Sequence, residues 1–199
     1  MRNPFWIIVM PTFLAYAMVS ALQTPPCGVK GSGKNTKDQI SDSLKNRSVS
    51  SDKINSKITL TGMLKRGDDT KRWKQSDYAK ITGYVLDVKY GGWESCNCYS
   101  KDKKDFDIHI EIVKGLAPKY IADSNIVVVE INRFVRASDK SLDYDAVRKL
   151  KNKKVEIEGW LFADVEHKQN SYNTNPKGTN VYRATLWELH PLISIKETK

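Results

Sequence analysis

The chain has only three histidines, and each lies close in sequence to a carboxylate side chain. His109 follows Asp107 by two residues, and His190 follows Glu188 by the same interval. His167 follows Asp164 by three residues and Glu166 by one. Residues two apart on a β-strand point to the same face, so each pair can act together. Imidazole and carboxylate groups are ligands of Zn²⁺ and similar ions, and a histidine–carboxylate pair can also act as a general base.

A larger set of polar side chains forms the candidate site. Its members are Asp107, His109, Glu130, His167, Asn170, Arg183, Trp187, Glu188 and His190. In one interpretation they bind an extended polar ligand, with Arg183 holding an anionic group. In the other they bind zinc or a similar ion, and a metal-bound hydroxide hydrolyses an ester or phosphodiester. The metal ligands would then be His109, His167, His190 and Glu130. In the remaining alternative, the histidines and carboxylates form separate ion pairs that stabilise the fold and bind no ligand.

The elements that must position these side chains are mostly strands. The predicted strands are 79–90, 106–112, 125–135, 154–162 and 181–196, with a short helix over 143–151. Three strands, a helix and two further strands is the element order of the five-stranded Greek-key barrel known as the OB fold. We therefore expect an all-β barrel with one short helix over residues 80–197.

This topology predicts which of the candidate side chains meet. The second and third strands pair, and the third runs beside the fifth. His109, Glu130 and His190 lie on these three strands and should come together. His167 and Asn170 lie on the predicted loop between the fourth and fifth strands, which overhangs the ligand-binding face.

The N-terminal part carries export signals and little apolar content. An apolar stretch that ends in small residues predicts a signal peptide over residues 1–21, so the protein is expected in the periplasm or outside the cell. Residues 22–57 are rich in Ser, Asn, Lys and Gly and are predicted to form a flexible basic linker. Residues 58–79 would extend the barrel. No membrane-spanning segment is expected in the mature form.

Three cysteines remain after export, in a compartment that permits disulfides: Cys27, Cys96 and Cys98. Cys96 and Cys98 are one residue apart and would form a strained bridge with each other, so a bond from Cys27 to one of them is predicted. One thiol is then left over. Lipid attachment at Cys27 is the disfavoured alternative because two prolines precede it, where a lipobox has small residues.

The net charge of +10 is unevenly distributed along the chain. Residues 22–79 hold twelve Lys and Arg against six Asp and Glu, whereas residues 80–197 hold nineteen against seventeen. The predicted barrel is therefore nearly neutral. Because affinity for nucleic acid depends largely on basic residues at phosphates, this distribution argues against strong, salt-dependent binding by the barrel.

Several short motifs together resemble those of a known family. They are Glu94-Ser-Cys-Asn-Cys98, Asp107-x-His109-Ile110, Val129-Glu130-Ile131 with Arg133, Gly159-Trp160-Leu161, Asp164 with Glu166-His167, and Arg183-x-Thr185-x-Trp187-Glu188-x-His190-Pro191. Over most of residues 80–197 the chain resembles exported bacterial OB-fold proteins and lipoproteins described as nucleic-acid-binding. The group has no established activity, and the resemblance implies an OB barrel with a binding role.

The expected function is therefore binding of nucleic acid or another extended polar ligand by an exported OB-fold protein. A metal-dependent hydrolase or metal-binding protein on the same barrel is the alternative. An envelope protein-interaction module is the second alternative.

Overall fold

Five strands form a closed barrel in the computed structural model, which describes residues 27–117 and 121–199. They are β1 (Tyr78–Tyr90), β2 (Ile108–Val113), β3 (Val127–Ile131), β4 (Lys154–Ala163) and β5 (Trp187–Glu197). Around the barrel their order is β1-β2-β3-β5-β4, and only the β3–β5 pairing is parallel. The predicted five-stranded, OB-like barrel is confirmed. The signal peptide predicted over residues 1–21 lies outside the described residues.

Short helices connect and cover the strands. They are α1 (Thr36–Lys45), α2 (Leu60–Met63), α3 (Arg133–Ser138) and α4 (Tyr144–Arg148), with 3₁₀ turns at Lys103–Asp105, Asp123–Asn125, Lys140–Leu142 and Val165–Asn170. Helix α4 is the predicted helix between the third and fourth strands, and its Val147 is fully buried in the barrel core. Within residues 58–79, Leu60 and Met63 of α2 pack into the same core.

Two predicted strand boundaries are wrong for local reasons. The third strand was expected over 125–135 but ends at Ile131, because Asn132 caps α3 by accepting a hydrogen bond from the Val135 N–H. The last strand was expected from residue 181 but begins at Trp187. The preceding residues instead form irregular backbone that buries polar side chains.

The barrel interior is apolar, as the alternating pattern of β2 predicts. Ile108, Ile110 and Ile112 are fully buried in the core. Strands β4 and β5 approach closely at Gly159, where a Cβ atom would lie 2.7 Å from the Pro191 carbonyl oxygen. This close approach accounts for the glycine in β4.

The flexible linker predicted over residues 22–57 is not what the structure shows for residues 27–47, which contain a helix and a disulfide-bonded cysteine. We name residues 27–47 the N-terminal arm. The arm contains α1 and is tied to the loop after β1 by a disulfide between Cys27 and Cys98. The bond confirms that Cys27 pairs with one of the two later cysteines, and a sulfur in a disulfide is not available for lipid attachment.

Polar contacts hold the end of this arm on the barrel. The Asn132 side-chain amide donates hydrogen bonds to the carbonyl oxygens of Lys45 and Arg47, at 2.7 and 2.8 Å. The Arg47 guanidinium donates to the His190 carbonyl oxygen at 3.4 Å. The arm therefore covers the outer surface of the barrel where β3 and β5 lie side by side.

Within residues 27–117 and 121–199, none of the helices has the length and apolar content that crossing a bilayer requires.

Candidate metal centre

Three neighbouring strands place polar side chains on the outer surface of the barrel beneath the N-terminal arm. His109 on β2 lies directly opposite Glu130 on β3 in the strand register. On β5, Leu189 belongs to the core, so its neighbours Glu188 and His190 point to the opposite face. Both are nevertheless fully buried. The sequence prediction that His109, Glu130 and His190 come together agrees with this arrangement.

Three of these buried side chains form a compact group, which we name the triad: Asp107, Glu130 and His190. One ligand atom from each lies within 4.8 Å of the others. The His190 Nε2 atom is 3.2 Å from Asp107 Oδ2, and its Nδ1 atom is 3.2 Å from Glu130 Oε2. Each residue is at most 3% exposed. Two carboxylates and an imidazole in this arrangement can bind a divalent transition-metal ion.

The triad is supported by residues that contact its outer atoms. Glu188 Oε1 lies 3.1 Å from His190 Nδ1, and His109 Nε2 lies 3.0 Å from Glu130 Oε1. A carboxylate at Nδ1 orients the imidazole and leaves Nε2 to act as a ligand. Among the described residues, His190 Nε2 and Glu130 Oε2 have no hydrogen-bond partner of good geometry, although both are buried. A cation shared by the triad would satisfy both atoms.

Carboxylates outnumber the permanently charged cations around the triad. The carboxylates in and beside it are Asp107, Glu130, Glu188, Asp164 and Glu94, and the permanently charged cations that pair with them are Lys45 and Arg183. Burial, reinforced by the charge of Glu130, raises the pKa of Glu188. Burial alone would lower the pKa of His190, but the charge of Glu130 and the contacts with Asp107 and Glu188 raise it to about 10. Glu188 and His190 therefore retain their protons more readily, and these protons offset negative charge that a bound cation could also offset.

His167 lies at the far end of this network and not in the triad. Arg183 bridges Glu188 at 3.0 Å and Asp164 at 2.8 Å, and Asp164 in turn contacts His167 Nδ1 at 2.5 Å. The structure therefore does not bring His167, which was predicted as a metal ligand, into the group of the triad. Arg183 is 2% exposed and its guanidinium is committed to two carboxylates, so the predicted contact with an anionic ligand would require breaking these pairs.

Two other candidate residues have contacts elsewhere in the protein. The Asn170 amide donates to the Asn180 carbonyl oxygen within the loop after β4. The Trp187 indole donates to the Asp69 carbonyl oxygen and packs edge to face against Trp73. Asn170 therefore stabilises this loop, and Trp187 stabilises one end of the barrel.

Three residues near the triad were missed by sequence reasoning. Lys45 on α1 forms an ion pair with Glu94 at 2.6 Å. The Cys96 sulfur lies 3.5 Å from Glu94 Oε2 and 3.7 Å from Asp107 Oδ2. Glu94 and Cys96 stand in one of the quoted motifs, which is a signal that could have placed them at the site. Nothing in the sequence around Lys45 indicates that α1 folds onto the barrel.

A surface cleft of about 290 Å³ opens beside this charged network. Lys45, Glu94 and Asp164 line the cleft and also belong to the network. The indole of Trp93, 59% exposed, stands at its rim. An ion or small solute that approaches the triad from this side would meet the Lys45–Glu94 pair.

Comparisons with known proteins give no further guidance. No protein-family model matches the chain, and no curated protein matches its sequence. The function must therefore be argued from the site itself.

Proposed function

We propose that this protein is an exported metal-binding protein, in which Asp107, Glu130 and His190 hold one divalent first-row transition-metal ion of the zinc class. The observation that carries the proposal is the buried triad, with ligand atoms from three different strands or loops within 4.8 Å of one another. Two carboxylate oxygens and one imidazole nitrogen are a ligand set that zinc and its neighbours accept.

A metal ion would add positive charge to a cluster in which Glu130 also pairs with His109 and Glu188 also pairs with Arg183. Three carboxylates, Asp107, Glu130 and Glu188, surround the single imidazole of His190 at 3.1 to 3.2 Å. Burying carboxylates without matching positive charge is costly. A dication bound between Asp107 and Glu130 would balance this charge. Glu188 would then keep the role of a supporting acceptor at Nδ1.

The closed surroundings favour a firmly held ion over a hydrolytic centre. Every member of the triad is buried, and a catalytic metal needs a coordination position that substrate or water can reach. A hydrolase at this site would have to open along the cleft that Lys45 and Glu94 line.

Binding of an oligonucleotide or another extended polymer has less support than metal binding. The outer surface of β3 and β5 at the candidate site is covered by the N-terminal arm, through the contacts of Asn132 and Arg47. A polymer would have to displace this arm. Export itself is supported by the disulfide between Cys27 and Cys98, since such bonds persist in oxidising compartments.

Calorimetric titration of the metal-free chain with Zn²⁺ tests the proposal. We expect one ion per chain for the wild type, and a loss of affinity of roughly 100-fold or more in Asp107→Asn and Glu130→Gln. Both substitutions preserve side-chain shape. The matched controls are His167→Gln and Asp164→Asn, which change a histidine and a buried carboxylate outside the triad and should still bind one ion. Wild-type protein that binds no zinc, or an Asp107→Asn variant that binds it equally well, contradicts the proposal.

A further inference from the structure

We propose that Cys96 supplies a thiolate as an additional ligand of this metal ion and makes the site selective for zinc-class metals over manganese, magnesium and calcium. The inference rests on the proposed function, since it assigns a further ligand to the same site. It concerns the one cysteine among the described residues that is not in the disulfide.

The position of Cys96 is the first argument. Its sulfur lies 3.7 Å from Oδ2 of Asp107, the oxygen atom that also faces His190 Nε2 at 3.2 Å. The side chain is 1% exposed and thus reaches the site from inside the protein. The sulfur is not within 4.8 Å of every ligand atom of the triad, so it would have to move closer to join them.

The backbone around Cys96 is held in place on both sides. Its carbonyl oxygen accepts a hydrogen bond from the buried Asn46 side chain at 2.9 Å. Two residues later, Cys98 is fixed by the disulfide to Cys27. The disulfide occupies the two other cysteines, so Cys96 keeps its thiol in a compartment where thiols are readily oxidised. The fold thus presents a free sulfur at the site instead of pairing it.

The surroundings of this thiol are unusual for a structural cysteine. A buried cysteine that only packs behaves as a small apolar side chain. Here the nearest polar atoms are carboxylate oxygens of Glu94 and Asp107, and burial together with the charge of Asp107 raises the pKa of the thiol. Without a metal ion the thiol is protonated and donates weakly to these oxygens.

Metal binding would replace that proton. The sulfur–hydrogen bond is broken, a sulfur–metal bond forms, and the proton leaves to solvent. Because thiolate is a soft ligand, it favours zinc, cobalt and copper over manganese, magnesium and calcium, which prefer oxygen ligands. Two carboxylates and one imidazole alone would not discriminate so strongly. Cys96 is therefore assigned as the residue that determines metal selectivity.

Cobalt provides a test that reports on the sulfur directly. Co²⁺ replaces Zn²⁺ in such sites, and a cobalt–thiolate bond produces a charge-transfer absorption in the near ultraviolet. We expect the full-length wild type to bind one Co²⁺ with this absorption. Cys96→Ser should still bind Co²⁺ but lose the absorption. Its Zn²⁺ affinity should fall by about tenfold or more, whereas its Mn²⁺ affinity should change little.

The outcomes separate this inference from the proposed function. Stoichiometric Co²⁺ binding without the charge-transfer absorption overturns the role of Cys96 and leaves the triad as the site. No Co²⁺ binding by the wild type overturns both. The wild-type spectrum decides the question even if Cys96→Ser fails to fold, and circular dichroism of the variant shows whether it has folded.

Discussion

At the scale of one residue, His190 shows how this protein buries charged groups next to one another. Its imidazole is fully buried and contacts the carboxylates of Asp107, Glu130 and Glu188. Glu188 occupies one ring nitrogen and leaves the other facing Asp107. This division between a supporting acceptor and a potential ligand is what a metal-binding histidine requires.

Lys45 carries a positive charge that would compete with a bound cation. Its ammonium group pairs with Glu94, and it also acts electrostatically on Glu130 and Glu188. We predict that Lys45→Met raises Zn²⁺ affinity by about tenfold, since removing this charge strengthens the field of the carboxylates. Competition with a chelating dye measures the affinity. Lys37→Met is the matched control, because Lys37 lies on the same helix, lines the same cleft and is exposed. Equal affinities in wild type and a folded Lys45→Met variant would contradict the prediction.

Arg183 is expected to stabilise the fold and not to bind a ligand. Its guanidinium is buried between Asp164 and Glu188, so removal of its charge leaves these two buried carboxylates with only their histidine partners. We predict that Arg183→Met lowers the free energy of unfolding by about 3–5 kcal/mol in urea titrations. Arg148→Met, at an exposed arginine whose partner is Asp145, should cost less than about 1 kcal/mol. Similar costs for the two variants would show that the buried pairs do not contribute as described.

At the scale of elements, the N-terminal arm is the feature that decides whether the site is open or closed. Helix α1 begins after Asn35, whose side chain accepts a hydrogen bond from the Asp38 N–H. It buries polar residues, Asp42 and Lys45, and few apolar ones. A disulfide and side-chain hydrogen bonds therefore hold α1 on the barrel, whereas most helices are held by the packing of an apolar face.

Removal of the disulfide should loosen this arm. The bond joins residues 71 apart in sequence. We predict that the double variant Cys27→Ser/Cys98→Ser loses about 4 kcal/mol of unfolding free energy, because the unfolded chain regains the freedom that the bond removes. Replacing both cysteines prevents Cys98 from pairing with Cys96. Chemical denaturation measures the change, and reduced wild type serves as the comparison. An unchanged unfolding free energy would mean that the arm is held by its other contacts alone.

The strands could be predicted because the alternation of apolar and polar residues that marks a strand is local in sequence. The docking of the N-terminal arm could not be predicted, because it depends on contacts between residues far apart in sequence. The alternation of Ile108, Ile110 and Ile112 identifies β2, and the order of elements then predicts the barrel. Helix α3 was missed although Asn132 is a good capping residue, because the apolar run before it looks like a continuing strand. Hydrophobic periodicity cannot detect α1, since α1 attaches through polar atoms. The site was predictable only where strand pairing alone brings its residues together, as for His109, Glu130 and His190.

At the scale of the whole molecule, the charged groups of the candidate site are buried and do not lie on the surface. The barrel region is nearly neutral in total, with nineteen basic and seventeen acidic residues over 80–197. Several of its carboxylates nevertheless meet beneath one arm. Overall net charge thus gave no indication of this internal cluster.

Acid should destabilise the whole molecule through the buried carboxylates. Burial alone would raise the pKa of Asp164, but the hydrogen bond with His167 and the charge of Arg183 lower it to about 2 from an ordinary 3.8. A carboxyl group with a lowered pKa stabilises the fold fully above its unfolded pKa and loses that contribution as the pH falls through the folded value. We therefore predict a loss of about 2 kcal/mol from this group between about pH 4 and pH 2.

Urea unfolding at a series of acidic pH values checks this prediction. Asp164→Asn should be less stable than wild type at pH 7 and should show a shallower fall in stability below pH 4. Parallel pH dependences in the two proteins would show that Asp164 is not held ionised as described.

The most direct test of the metal site is anomalous X-ray scattering from crystals grown with zinc, collected on both sides of the zinc absorption edge. We predict one strong anomalous peak bonded to Asp107, Glu130 and His190 beneath the N-terminal arm. Density that shows the same side chains paired only with one another, or a zinc peak bound elsewhere on the chain, would contradict the account.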